Sequence, residues 1–256
     1  METENTSQKI AVTGATGRVG CHLVEILEGR GHDVVPIARS KGVDVVSGEG
    51  LAEALTGAEI IVDTATGSSP DQRAATEFFT ASARNLQRAG AAAGAKRIVV
   101  VSIIGIDKFQ GGYNAAKVAQ EQTLLEGPLP VRIVRAAQFH EFVDQLVGWM
   151  IQDGVAYLPE MRTQLVAARV VAETLADAAE EPEIQNGRIT EIAGPRAERL
   201  ADAAAALFAS RGDSFEIREG RQPGDPDAVA YAEGAALPNP GAKLAGPSFE
   251  EWLAAA

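Results

Sequence analysis

A tyrosine and a lysine four residues apart, Tyr113 and Lys117, open a segment that reads as a helix running on through Val118, Glu121 and Leu125. That spacing puts both side chains on one helix face. A free phenol titrates near ~10 and exchanges protons poorly at neutral pH. A nearby ammonium favours the phenolate and lowers that value. Paired in this way, Tyr113 can hand a proton to a carbonyl oxygen as the carbonyl is reduced. Ser102 lies toward the carboxyl end of the preceding apolar run, residues 97–104. His140 can serve as a second acid–base group or as a hydrogen-bonded wall residue, whereas His22 and His32 read as surface or helix positions. The three histidines show no metal-ligand spacing. The single cysteine, Cys21, excludes an internal disulfide and a cysteine-built metal site, and reads as a helix filler.

Such a pair needs a scaffold, and the amino-terminal stretch supplies it. Ile10-Ala11-Val12 reads as a strand. Gly14, Gly17 and Gly20 follow at intervals of three, and Val19, Leu23, Ile26 and Leu27 then recur at helical spacing. Strand, glycine turn and helix in that order open a dinucleotide-binding unit. Gly14 permits a tight turn, Gly17 lets the backbone approach a pyrophosphate, and Gly20 lets the helix lie near the strand. The free N–H groups and positive end of the helix face the anion, with Thr16, Arg18 and Val19 beside it. The second strand, residues 33–38, ends without the acidic residue that commonly accepts hydrogen bonds from the ribose of NAD; Arg39 stands there instead. An arginine grips a 2′-phosphate through its planar fork, so the expected cofactor is NADP(H), with Arg18 able to add a second positive contact. Residues 58–64 form an apolar strand, and the small residues Thr64, Ala65 and Thr66 at its end leave room for the cofactor's ribose.

The run Thr13-Gly14-Ala15-Thr16-Gly17-Arg18-Val19-Gly20 resembles the TGxTGxxG fingerprint of the extended and atypical short-chain dehydrogenase/reductases, especially the NmrA-like group, and the likeness extends to about Pro195. Tyr113 and Lys117 resemble that superfamily's YxxxK pair. The resemblance implies that Lys117 also binds the nicotinamide ribose hydroxyls and that Ser102 orients the substrate carbonyl. It further implies that Asp44 lies beside the adenine, and that Gln138 and Phe139, after the strand at 130–136, border the nicotinamide and the substrate, next to His140. Its helix at 70–93 often forms a dimer contact, which makes a homodimer an expectation.

The implied fold is α/β: a Rossmann-type parallel sheet with helices on both faces and a small C-terminal part that covers the substrate. Within the chain of 256 residues we expect a tail at 1–8, a dinucleotide-binding unit at 9–146 and a smaller substrate-binding part at 147–256. Strands are also expected at 43–46, 187–192 and 214–218, and helices at 51–55, 141–152, 165–179 and 198–210. Gly154 to Gln164 reads as a loop with a short extended piece. Pro- and Gly-rich turns follow residue 219, and Trp252 marks a docked C-terminus. A net charge of −12 argues against nucleic acid and anionic membranes as partners. No apolar run spans a bilayer, and the start of the chain is unlike a signal peptide, so the expected setting is the cytoplasm. The function these readings imply is an NADP(H)-dependent oxidoreductase acting on a carbonyl or other polarised double bond of a small molecule. Two alternatives bind the dinucleotide alike: a non-catalytic NADP(H)-sensing protein, and a cofactor-retaining isomerase or epimerase.

Overall fold

Strand and helix alternate through the first half of the computed structural model, which describes residues 7–221 and 224–255. The elements are β1 (Lys9–Thr13), α1 (Gly20–Gly29), β2 (Asp33–Ile37), α2 (Leu51–Ala54), β3 (Ile60–Asp63), α3 (Gln72–Ala93), β4 (Arg97–Ile103), α4 (Gly112–Leu125) and β5 (Val131–Ala136). The strands are parallel in the order β2-β1-β3-β4-β5. The order reverses at β1, which opens a crevice at the carboxyl ends of β1 and β3, the usual ligand position in such sheets. Both faces of the sheet are covered, and this explains the apolar runs at the centres of β1, β3 and β4. Ile10, Val12, Val62 and Val99 pack with Leu23 and Leu27 of α1. Ala11, Ile61, Ile98 and Val100 face the other way, against Ala83, Leu86 and Leu124 of α3 and α4. Asp71 caps α3 by accepting the Ala74 N–H at 2.9 Å, and Gly94 ends it at φ +81°.

The second half of the chain comprises α5 (His140–Gly148), β6 (Ile151–Gln152), β7 (Val155–Pro159), β8 (Arg162–Thr163), α6 (Ala168–Glu180), β9 (Arg188–Ala193), β10 (Glu198–Arg199), α7 (Leu200–Arg211), β11 (Glu216–Gly220), α8 (Ala228–Ala232), β12 (Lys243–Leu244) and α9 (Phe249–Ala255). β9 pairs with β5 and β12 with β9, completing a seven-stranded parallel sheet. α6 packs on the α1 face. The sheet thus draws on both sides of the boundary expected near Val147. A separate core forms from α5, β7, α7 and α9, beside a small sheet of β6, β7 and β11.

Four expectations need correction. Residues 43–46 form a turn, because the Asp44 carboxylate accepts the Val46 N–H at 2.7 Å and satisfies the backbone locally. The helix expected at 141–152 stops at Gly148, and Ile151–Gln152 turns back through Asp153 and Gly154, both at positive φ, to pair with β7. The extended piece expected within 154–164 is longer than a short one: it forms β7, and β8 follows it. Leu165 and Val166 are not helical: the Val166 N–H donates to Gln138 and its carbonyl accepts from His140, which stitches this segment beside the end of β5. Trp252 does dock, 5.5 Å from the His140 ring. Residues 1–6 of the expected tail, and Gln222 and Pro223 of the expected turns, lie outside the described residues. Among the described residues no helix is long and apolar enough to cross a membrane.

Candidate functional site

The loop between β1 and α1 is built by absences. Gly14 holds φ +66°, and a Cβ there would sit 2.7 Å from the Thr64 carbonyl; one on Gly20 would sit 2.1 Å from the Gly14 oxygen. Only hydrogen at both positions lets the loop close against β3 and lets α1 start under it. Thr16, Gly17 and Arg18 are exposed, while Val19 is buried and anchors the turn. Among the described residues the amide N–H groups of Thr16, Arg18 and Val19 have no acceptor. α1 carries no capping side chain and no acid in its first turn. Free donors, a helix N-terminus and a Cβ-free surface fit the pyrophosphate of a dinucleotide.

Around this cradle stand the other expected cofactor residues. Ala15 N–H donates to the Ile37 carbonyl, which ties the loop to the end of β2. Two residues further on, Arg39 is exposed and has no side-chain partner among the described residues. Arg18 leans the other way, 3.4 Å from Gln145 Oε1 and over the Phe142 ring. Asp44 spends one carboxylate oxygen on its own turn, a loop that Asn85 also holds through the carbonyls of Val45 and Val46. Thr64 donates to the Thr13 carbonyl at 2.7 Å, and the Ala65 N–H donates to Asp63. Thr66, exposed, meets the Tyr113 hydroxyl at 2.9 Å. The three residues 64–66 therefore run from the glycine loop to Tyr113.

Tyr113 and Lys117 do share a face of α4, but not an environment. The Tyr113 ring packs edge-on against Phe79, 5.5 Å between centroids, and the Lys117 ammonium lies 4.5 Å from the same Phe79 ring. Lys117 is buried and donates to the Val101 carbonyl at 2.8 Å and to Gln120. Burial pushes its pKa down to about 8, against the opposing pull of Asp63 and Glu121. The Tyr113 pKa is raised by burial, with the Thr66 hydrogen bond working against the rise; Lys117 is not among its perturbers. The direction is opposite to the lowering expected from a nearby ammonium. Desolvation wins, and the phenol stays protonated well beyond neutrality. Ser102 is on the α4 side of β4, in alternation with Ile98 and Val100, and its buried hydroxyl has no partner among the described residues.

The two remaining expected residues differ in fate. Gln138 accepts a hydrogen bond from Thr163, and with Phe139 it borders a narrow cleft. Phe142, Val143, Leu146, Met161, Leu165 and Leu200 close around it so tightly that no water-sized space is left. His140 is 1% exposed, edge-on to the Phe249 ring and tilted against Trp252, and its burial pushes the pKa down to about 4. Neither ring nitrogen meets a partner at full hydrogen-bond geometry, although the Leu165 backbone lies close enough to oppose the shift. Burial disfavours the charged imidazolium, so the ring packs here as a core residue. His32 is also buried rather than at the surface, and it meets Glu180 at 2.9 Å. A wider groove lined by Arg84, Arg88 and Glu126, between α3 and α4, contains none of the expected site residues.

Several residues escaped the sequence reading. Thr13 donates to Asp63, Gln120 donates to Asp63 at 2.9 Å, and Lys117 donates to Gln120, which makes one buried chain under α4. Glu121 continues the layer by pairing with Arg135 through both carboxylate oxygens. A signal existed for two of them: Asp63 ends an otherwise apolar buried strand, and Gln120 follows Lys117 by three on the same helix. Asp227, which reaches the start of α4 from the C-terminal part, had none.

Comparison with known proteins adds three findings. A family model described as NAD(P)H-binding matches residues 14–182. The 4-hydroxy-tetrahydrodipicolinate reductase of Natronomonas pharaonis is 29% identical over 160 residues, which are 61% of this chain and 54% of that protein. The alignment with this curated relative thus spans about half of its length. Among solved structures, an NADPH-dependent quinone oxidoreductase from Escherichia coli superposes with a TM-score of 0.66 at 19% identity, covering 96% of this chain and 98% of that one. The Bordetella bronchiseptica enzyme WbmH, solved with NAD+, gives 0.72 at 17% identity, covering 97% of each chain. At these identities the two structures bear on the fold.

Proposed function

The chain belongs to the NAD(P)H-binding family, and on that premise we propose that it is an NADP(H)-dependent oxidoreductase that reduces a carbonyl or another polarised double bond of a small organic molecule. The observation that carries this reading is the 2.9 Å contact between Tyr113 and Thr66, two residues beyond the Thr64 carbonyl on which Gly14 closes. It supports a proton donor at the rim of the cofactor cradle. A bound NADPH supplies the hydride that adds to the substrate carbon. Tyr113 gives its hydroxyl proton to the substrate oxygen and regains one from solvent at the exposed Thr66. The raised pKa keeps the phenol in the protonated form that reduction uses but makes it a weaker acid, so it does not favour the proton transfer. Ser102, with its free hydroxyl on the same side of the sheet, is the candidate donor that orients the oxygen. Lys117 fixes α4 to β4 through Val101, and the ribose contact implied for it requires the ammonium to exchange Gln120 for a hydroxyl. Arg39 supports NADP(H) over NAD(H).

The sensor reading draws support from one observation: burial raises the Tyr113 pKa, which makes the hydroxyl a weaker proton donor. NADPH consumption with a panel of aldehydes, ketones, enones and quinones separates the readings. The enzyme reading expects turnover of some panel member and its loss, by about 100-fold or more, in Tyr113→Phe. Unchanged turnover in that variant would sink it. Tight NADPH binding with no turnover across the panel would favour the sensor, and product formation without net NADPH consumption the isomerase.

A further inference from the structure

The helix that carries Tyr113 cannot cap itself. Its N-cap is Gly111 and its first residue Gly112, and neither has a side chain to offer. Yet three successive amides at its entrance are satisfied, all from outside. The Asp227 carboxylate accepts the Gln110 N–H at 2.7 Å on one oxygen and the Gly111 N–H at 3.0 Å on the other. Gln72 Oε1, at the start of α3, accepts the Gly112 N–H at 2.9 Å. Asp227 is 4% exposed and is set by its own turn, in which its N–H donates to the Asp225 carboxylate at 2.9 Å. A buried anion at the positive end of a fourteen-residue helix gains from the helix dipole as well as from two charge-assisted hydrogen bonds.

The rest of the segment clamps the same turn. Tyr231 accepts the Asn114 side-chain N–H at 2.7 Å, one residue past Tyr113, and its ring lies 4.5 Å from Phe109. Gly105 passes so close to the Ala235 carbonyl that a Cβ would meet it at 2.0 Å. The loop 105–112 and the first turn of α4 are therefore moulded to residues 225–236.

We propose that Asp227 is a positioning residue for the Tyr113 chemistry: from the C-terminal segment it holds the first turn of α4, and so sets where the Tyr113 hydroxyl meets the substrate. The inference rests on the proton-donor reading above. It assigns the C-terminal segment a part in turnover, whereas the glycine cradle at 14–20 is built from other contacts. A shift of about 1 Å in a reacting group costs on the order of 100-fold in rate, so the anchor bears on kcat.

The test is a double-mutant cycle on the full chain with Asp227→Asn and Tyr113→Phe, read by NADPH turnover and by NADPH binding. Asp227→Asn keeps the shape but loses the charge and one acceptor. The expected result is a fall in kcat of about 10- to 100-fold in the otherwise unchanged protein, with KM and NADPH affinity within about threefold. In the Tyr113→Phe background the same change should cost less than about threefold, because the residue it positions is gone. Amide hydrogen exchange at 110–112 should speed up in Asp227→Asn, a readout that needs no activity. Equal losses in both backgrounds would overturn the positioning role while leaving the Tyr113 reading intact. If Tyr113→Phe alone has no effect on turnover, the proton-donor reading fails and the positioning role with it. Should Asp227→Asn fail to fold, Tyr231→Phe, which loosens the same clamp, runs the same cycle with the same expected coupling, and additive losses there would overturn the proposal.

Discussion

Arg39→Ala is the substitution that isolates cofactor choice from catalysis. Arg39 follows the end of β2, its guanidinium has no partner among the described residues, and the turn it begins is tied to the glycine loop through the Ala15–Ile37 hydrogen bond. No described residue pairs with its charge, so its effect should appear in binding. A charge-assisted hydrogen bond contributes about 1.5–3 kcal/mol, which is roughly 10- to 150-fold in affinity. Exposure and salt screening push Arg39 toward the lower end, so we expect NADPH to bind about 10- to 30-fold more weakly and NADH within about twofold. Titration calorimetry or NADPH fluorescence with both dinucleotides measures the ratio directly. The wild-type preference should also shrink as salt is raised to about 0.5 M. Equal losses for NADPH and NADH, or no loss for either, would refute the assignment of Arg39 to the 2′-phosphate.

Other outcomes follow from the same geometry. Gly20→Ala drives a methyl group into the Gly14 carbonyl; dinucleotide binding should fall by more than about 100-fold, which a binding titration checks. Arg135→Leu leaves Glu121 buried with its main partner gone, a change that typically costs about 3 kcal/mol or more, so calorimetry should find Tm lower by roughly 6–12 °C. Lys117 gives a pH dependence. Its pKa falls from 10.5 to about 8 in the folded chain, so between those values the unfolded chain binds the proton that the folded chain has released, and stability rises with pH. Denaturant unfolding should show the wild type gaining about 2 kcal/mol on Lys117→Met from pH 8 to 10. A flat difference would mean that the ammonium is solvated in solution.

Much of the site could be read from residue types. The three glycines announced a backbone close approach, and a side chain at Gly14 would strike the end of β3 while one at Gly20 would strike the loop at Gly14. The β1–α1 opening and the parallel core followed from apolar runs that only a doubly covered sheet would tolerate. Short-range patterns failed where a single side chain redirected the backbone, as Asp44 does in the turn that replaced a strand. They failed again where tertiary pairing claimed a helical pattern, as β7 does with Ile151 and Gln152. The electrostatics of Tyr113 were illegible for a different reason. Spacing along α4 reports a shared face, but Phe79, which lies against both side chains, comes from α3, and no local pattern foretells that contact. His140 read as a candidate because histidine titrates near neutrality; the aromatic residues that bury it come from α9, more than a hundred residues away.

The most direct test is a structure of the protein crystallised with NADP+. The account expects the pyrophosphate on the amides of Thr16, Arg18 and Val19 and the 2′-phosphate on Arg39. It expects the nicotinamide beside Tyr113, with room for a substrate carbon about 3–3.5 Å from the hydride-donating position and its oxygen within reach of the Tyr113 hydroxyl. A nicotinamide that lies away from Tyr113, or a side chain filling the space between them, would contradict it.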